Sequence, residues 1–279
     1  MSIFYAMNHL NHFFIEEIQA REIEEVAVLL ADAFETNPAY SLVFHKNDLR
    51  EGLIWLFRAN LFLLNRRQVL TRIIKERRSG KIVGTYTLLP PGGVKRTFGD
   101  YLQIGLLAFI RRFGLSTLFR MTGMDSHNKR ILTDALQSKE YYYLSMVVVK
   151  EEFRGTGIGS YAINGCLNEL HQLKRDCHLL GLTTQLPENV SFYSRLGFEL
   201  IDEGNVHFRE SHYYNYNMRY VLRKEEREYQ LINTFKTPNL WKKKLFRLMR
   251  NCMLSNCIFA CRAIVYHLPA QLCISDPCL

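Results

Sequence analysis

The chain has little that would commit it to an unusual environment. Its first fourteen residues, MSIFYAMNHLNHFF, hold neither a basic leader nor a continuous apolar run, so no secretory signal is expected. No internal repeat and no low-complexity tract is visible, which excludes solenoid arrays and a mainly disordered chain. Cysteine is scarce in the body: Cys166 and Cys177 stand alone there, whereas Cys252, Cys257, Cys261, Cys273 and Cys278 crowd the end. No disulfide framework can be drawn from an odd set so placed, and a reducing, cytoplasmic setting is expected. His171, His178 and His207 lack the spacing of metal ligands, so no metal site is expected either.

What is present is ordinary globular material. A hydrophobic content of 48% with 23% charged residues supports a sizeable core, and 279 residues suit one enlarged domain or two small ones. The formal charge of +9 is uneven, because residues 236 to 279 hold seven cations against the single acid Asp276, leaving only +3 for the rest. Tyr213, Tyr214 and Tyr216 suit a final strand better than a base-stacking surface, and no nucleic-acid partner is expected.

Periodicity sets the coarse order of elements. HFFIEEI (12 to 18) suits a first strand, and Ile23, Val26, Ala27, Leu30 and Phe34 recur at helical spacing until Asn37-Pro38 ends the run. A second helix is expected from Asp48 as N-cap. VLTRIIKE and KIVGTYTLL flank RRSG as an antiparallel hairpin, and PPGG (90 to 93) then breaks the chain. Residues 100 to 138 read as two or more helices. Beyond them come a buried strand (141 to 150), a helix (157 to 173), a strand (178 to 185), a short helix from Glu188 to Arg195 and two last strands. Together these predict an α/β fold: a mixed central sheet with an antiparallel N-terminal hairpin and a parallel centre, flanked by helices.

The loop FRGTGIGS (153 to 160) lies between a buried strand and a helix. There, successive backbone N–H groups meet the positive end of the helix dipole, and glycine lets an anion approach. A tight turn is the plainer alternative. A P-loop is excluded because no lysine follows the glycines. Gly155, Gly157 and Ser160 make G-x-G-x-x-S, close to a dinucleotide fingerprint, but repeated βαβ halves are missing. A third pattern, [QR]-x-x-G-x-[GA], fits Arg154-Gly155-Thr156-Gly157-Ile158-Gly159. About 30 residues on, PENVSFYSRLGF (187 to 198) fits N-x-x-x-Y-x-x-x-G-F.

On these two segments, in this order and with a strand between them, residues 12 to 221 resemble the GCN5-related N-acetyltransferases (GNAT family). The stretches YYYLSMVVV, AFETNPAYSLVF and 100 to 138 look most like the small-molecule branch that includes puromycin N-acetyltransferase. The resemblance implies acetyl-CoA as co-substrate, with its pyrophosphate held by Arg154, Gly155, Thr156, Gly157, Ile158, Gly159 and Ser160. It further implies a strand bulge that turns backbone groups of Val147, Val148 and Val149 toward the thioester and pantetheine arm. Asn189 would bond that arm, and Tyr193 would be the general acid for the leaving thiolate. Taken as residues alone, Tyr193 also fits a half-buried core position, Asn189 an N-cap and Arg154 an exposed loop cation. Glu140, Tyr141, Tyr142, Tyr143 and Glu199 remain open as bases, and Cys166 and Cys177 suit core or surface thiols rather than nucleophiles.

The expected reaction is direct acetyl transfer to a primary amine of a small molecule. Protein or peptide N-acetylation, and a non-catalytic CoA-binding module tethered by a basic tail, are the alternatives. Residues 1–221 would form the acetyltransferase domain and 222–279 a basic, Cys-rich, helical extension. Within that extension Cys252 to Leu268 is too short for a span and is interrupted by Arg262. Residues 236 to 268 are left as a candidate for peripheral membrane contact or self-association.

Overall fold

The computed structural model describes residues 10–173, 177–208 and 211–222, all within one unit, Met1–Lys224. The expectations for the tail therefore lie outside the described residues. Strand β1 (Phe13–Glu17) leads into α1 (Ile23–Phe34), the short α2 (Pro38–Ser41) and α3 (Leu49–Arg66). A hairpin of β2 (Leu70–Glu76) and β3 (Ile82–Leu89) follows. Next come α4 (Phe98–Gln103), α5 (Leu106–Phe113) and α6 (Leu115–Ala135). The remainder runs β4 (Tyr142–Val149), α7 (Ile158–Gln172), β5 (Leu179–Thr184), α8 (Pro187–Ser194), β6 (Glu199–Phe208) and β7 (Ser211–Val221).

Local chemistry explains most of these boundaries. Asn37 does more than end α1: its Oδ1 accepts from Ala39 N at 3.0 Å and starts α2 at Pro38. Asp48 occupies the N-cap position of α3 as expected, yet its carboxylate meets Arg112 at 3.0 Å instead of capping the helix. Thr97 and Asp100 form a reciprocal capping box at the head of α4, and Arg67 adds a bond to Asp100 at 2.8 Å. These contacts draw the Asp100 carboxyl down to about 2, the backbone bond of Thr97 contributing most.

The seven strands form one sheet in the order β1-β2-β3-β4-β5-β7-β6. Only β4 and β5 run parallel, so the expected parallel centre is a single pair, while β7 slots between β5 and β6 by antiparallel pairing. Each face of the sheet carries its own core. On one face α1, α3, Phe109 and Met124 pack over Ile73, Ile82, Val148 and Tyr213. On the other, α7 and Tyr193 pack over Ile74, Val83, Leu144, Leu180 and Leu182. The paired sequence neighbours Ile73/Ile74 and Ile82/Val83 divide between the two faces, as the two-residue period of a strand requires.

The β3–β4 seam is unusually tight. A Cβ on Gly84 would stand 2.7 Å from the Val148 carbonyl oxygen, which is backbone and cannot swing aside. Gly204 in β6, by contrast, has open space around it. Gly84→Ala should therefore cost about 1–3 kcal/mol in chemical denaturation, as overpacking does. Gly204→Ala should be neutral or gain up to ~1 kcal/mol by restricting the unfolded chain.

Candidate active site

The central irregularity is a bulge in β4. Thr87 pairs with Ser145 and Thr85 with Val148, so two residues, Met146 and Val147, stand opposite Tyr86 alone. Met146 takes a left-handed φ of 51°, rare for a side-chain-bearing residue. The bulge exchanges the faces of the strand: Leu144 belongs to the α7 core, whereas Met146 and Val148 belong to the α1/α3 core.

Beyond the bulge β4 also parts from β5. The two strands pair only at Tyr142↔Leu180 and Tyr143↔Gly181. Lys150 N–H donates to Val83 O at 2.8 Å, and by strand alternation Val148 also faces β3. Val147 and Val149 therefore turn their backbone groups to the open side. Of the three valines in the expectation, these two share the gap and Val148 does not.

The glycine loop stands at the end of this gap. A 3₁₀ turn over Glu151–Phe153 is followed by Gly155 with φ 75° and Gly157 with φ 91°, conformations that a Cβ would strain. Thr156 Oγ1 donates to Phe153 O at 2.6 Å and closes the turn. Gly157 is the N-cap of the fifteen-residue α7, and no side chain caps that helix. The first N–H groups, at Ile158, Gly159 and Ser160, are thus left at a positive dipole end. Gly159 serves a different need, because a Cβ there would press on the Phe192 ring at 3.2 Å. Arg154 reaches back with Nε to Val149 O at 3.5 Å, a long contact that leaves its guanidinium exposed beside the loop.

Tyr193 projects from α8 into the α7 core against Phe192 and Phe198, with ring centroids at 5.0 and 5.4 Å. Burial pushes its phenol well above the ordinary value, with Tyr143 and Cys166 adding to the rise. Tyr143 approaches from the opposite face, its hydroxyl 3.3 Å from Thr183 Oγ1 and its pKa pushed up to about 12, chiefly by burial. A phenol on each face thus meets at the mouth of the gap.

Asn189 is the third residue of α8, whose N-cap is Leu186, so the capping alternative does not hold. Its Nδ2 donates to Thr184 Oγ1 at 2.9 Å, which fixes the amide at the end of β5. The open candidates for a base are scattered. Glu199 pairs with Arg219 at 3.0 Å on the outer strands, Glu140 is exposed before β4, and the Tyr141 hydroxyl lies 3.0 Å from Thr133. Tyr142 is buried in the α7 core, so only Tyr143 stands at the gap. Cys166 is buried and its thiol is raised by burial and by Glu169, which keeps it protonated and inert. Cys177 Sγ donates to Glu140 O at 3.2 Å. Among the described residues no three His, Cys, Asp or Glu side chains gather as metal ligands.

Sequence reasoning missed a second group of residues. On the α1 side of the gap an amide chain runs in one direction: Asn37 Nδ2 to Gln185 Oε1 at 2.9 Å, Gln185 Nε2 to Asn215 Oδ1 at 2.8 Å, Asn215 Nδ2 to Asn217 Oδ1 at 3.2 Å, and Asn217 Nδ2 to Asp202 Oδ2 at 2.9 Å. Asn37, Asn215 and Asn217 are buried, so each bond satisfies a group that would be costly to leave unpaired. The alternate placing of Asn215 and Asn217 in YYNYNM was the available signal. A cleft of about 400 Å³ between β1, β2, β3 and α7 is lined by Glu17, Arg72, Tyr86 and Glu169. Its Arg72 is already held by Glu169 at 2.5 Å and Glu17 at 3.1 Å, which marks it as structural bracing away from the glycine loop.

A parted parallel pair, a bulged strand and an uncapped helix behind glycines leave backbone groups placed to receive an anionic ligand. Residues 126–200 match the family model described as an acetyltransferase (GNAT) domain. That stretch of the chain is similar to GNAT acetyltransferase domains. Comparison with curated proteins finds no match. Similar solved structures include a histone acetyltransferase HPA2 and related acetyltransferase from Corynebacterium glutamicum, 17% identical with a TM-score of 0.49, covering 76% of this chain and 97% of that one. A phosphinothricin acetyltransferase from Sinorhizobium meliloti, solved with AcCoA, is 10% identical at a TM-score of 0.47, covering 76% and 89%. A ribosomal-protein-alanine N-acetyltransferase from Brucella melitensis is 17% identical at 0.44, covering 75% and 99%.

Two substitutions separate backbone from burial at the bulge. If left-handed φ decides, Met146→Val should destabilise by about 1–3 kcal/mol and more than Met146→Asn, since asparagine tolerates that region. If half-burial decides, denaturant midpoints will show valine as the milder change.

Proposed function

We propose that this chain transfers the acetyl group of acetyl-CoA directly to a primary amine of a small molecule. The observation that carries the reading is the uncapped start of α7 behind Gly155 and Gly157, next to a gap lined by β4 backbone groups that meet no neighbouring strand. The N–H groups of Gly157 to Ser160 would take the pyrophosphate, with Arg154 at its rim. Backbone groups of Val147 and Val149 would align the pantetheine arm, and Asn189 would bond it from the β5 side. A gap-side N–H would also stabilise the negative oxygen formed when the amine attacks the thioester carbonyl.

Tyr193 is the proposed acid. Its raised pKa keeps the phenol protonated at any ordinary pH, so a donor is always present for the departing thiolate. The same rise makes complete transfer uphill against a thiol of pKa near 8.5. Its contribution therefore begins as a hydrogen bond to the developing charge, with the proton following as the carbon–sulfur bond breaks and the phenolate regaining one that the attacking nitrogen releases. Tyr143, pushed up to about 12, is likewise a donor rather than a base near neutrality.

A small-molecule acceptor is preferred to a peptide because the α1 side of the gap is bordered by half-buried Tyr40 and Tyr143 and braced by the buried amides Asn37, Asn215 and Asn217, a setting suited to a compact ligand. The donor is read as acetyl-CoA and the setting as cytoplasmic. Among the described residues no helix is long and apolar enough to cross a membrane. Peripheral membrane contact or self-association through residues 236 to 268 remains a proposal resting on their charge and apolar pattern.

Calorimetric titration with acetyl-CoA should give micromolar binding, lost in a Gly157→Glu, Gly159→Glu double variant that remains folded. Absence of binding by the folded wild type would return the loop to a simple turn and remove the enzymatic reading. Tyr193→Phe should lower kcat by roughly 10²-fold with little change in KM, the scale expected of a positioned acid. The sign of its pKa shift adds a pH test: kcat should not decline as pH rises through 10, where an ordinary phenol would lose its proton.

A further inference from the structure

The gap between β4 and β5 opens on two faces, and the two are chemically unlike. Toward α7 lie the glycine loop and Tyr193. Toward α1, α3 and α6 lie three tyrosines and one carboxylate, drawn from four separate elements. Tyr143 is held to Thr183 at 3.3 Å, and Tyr213 Oη donates to Asn128 Oδ1 at 2.5 Å, which pins β7 to α6. Asp125 precedes Asn128 by three residues on α6, so both occupy the same side of that helix. Tyr40 packs in the same core cluster as Tyr213 and Met146, with its ring edge-on to Phe34 and Phe57 at 5.7 and 5.9 Å. Its helix, α2, is capped by Asn37, the first member of the amide chain.

Resting on the acetyltransferase reading, we propose that this face selects a cationic amine as acceptor: the Asp125 carboxylate balances its positive charge, and Tyr40, Tyr143 and Tyr213 enclose it. Asp125 is exposed and is the one carboxylate bearing on both Tyr40 and Tyr143. It forms no hydrogen bond or ion pair with the described residues, so its charge is available to a ligand. The tyrosine hydroxyls stay neutral, raised by burial before any neighbour acts, and their oxygens can accept from an ammonium while the rings supply a face of negative potential. The amide chain holds Asn37, and through it the short helix bearing Tyr40, in fixed register with β5 and β7. An acceptor with its own carboxylate beside the amine would meet Asp125 as a like charge and be rejected.

The full chain, saturated with CoA so that no transfer occurs, should be titrated calorimetrically with n-butylamine, 1,4-diaminobutane and 4-aminobutanoate. The two net cations should bind at least about tenfold more tightly than the zwitterion, as expected for a charge-assisted contact. Asp125→Asn should abolish that preference, and its exposed position keeps the fold intact, which thermal melting checks. Tyr40→Leu should weaken both cations, whereas Tyr40→Phe should retain part of their affinity. Equal binding of the zwitterion, an unchanged preference in Asp125→Asn, or no binding of any amine by protein that does bind acetyl-CoA would each overturn the inference. Failure to bind acetyl-CoA in the same preparation would instead strike the acetyltransferase reading, so the two failures are told apart.

Discussion

Among the described residues, two pairs, Tyr142↔Leu180 and Tyr143↔Gly181, make the one parallel contact in the sheet, and the proposed chemistry depends on the strands parting after them. Backbone N–H and C=O groups inside a protein are almost always paired. Past Tyr143, the β4 groups that face away from β3 have no strand to meet. The sheet thus contains a row of donors and acceptors that meet no strand, one of which, Val149 O, is reached by Arg154 Nε at 3.5 Å. A long amide-bearing arm suits such a row because it can supply the missing ladder bonds without the rest of the fold adjusting.

The bulge at Met146 makes that row usable. Without it Leu144, Met146 and Val148 would share one face, and the strand would run as a regular ladder against β3. With it, Val148 is returned to the α1/α3 core while Val147 and Val149 turn to the gap and to the α7 side. Gly84 permits the close β3–β4 seam that anchors the strand beyond the bulge. The cost of one left-handed residue is then carried by the packing of both cores rather than by the site alone.

Much of this organisation was legible beforehand. The helical recurrence of Ile23, Val26, Ala27 and Leu30, the RRSG hairpin and the glycine loop each express a local rule, and local rules survive into the fold. The bulge was different, because LSMVVV is apolar at nearly every position and shows no change of face when a strand slips by one. The resemblance implied a bulge somewhere in the strand at 144 to 150, and the pairing with Thr85 and Thr87 is what places it at Met146 and Val147. The amide chain was harder to see for another reason: apart from the alternating Asn215 and Asn217, its members Asn37, Gln185 and Asp202 are far apart in sequence, and each taken singly is an ordinary polar residue.

The two faces of the gap also divide the energetic labour. On the α7 side, affinity in the proposed reading would come from fixed dipoles and backbone groups, which would recognise any ligand with the same phosphate and amide arm. On the α1 side the groups are side chains from α2, α6, β4 and β7, and those of α2, α6 and β7 belong to elements that contribute nothing to the proposed donor site. Such a division lets acceptor selection change while donor binding stays constant, because no residue of the tyrosine group is needed to form the helix start or the bulge. Tyr143 on β4 and Tyr193 on α8 stand on opposite faces of the sheet, so the two halves border on each other at β4.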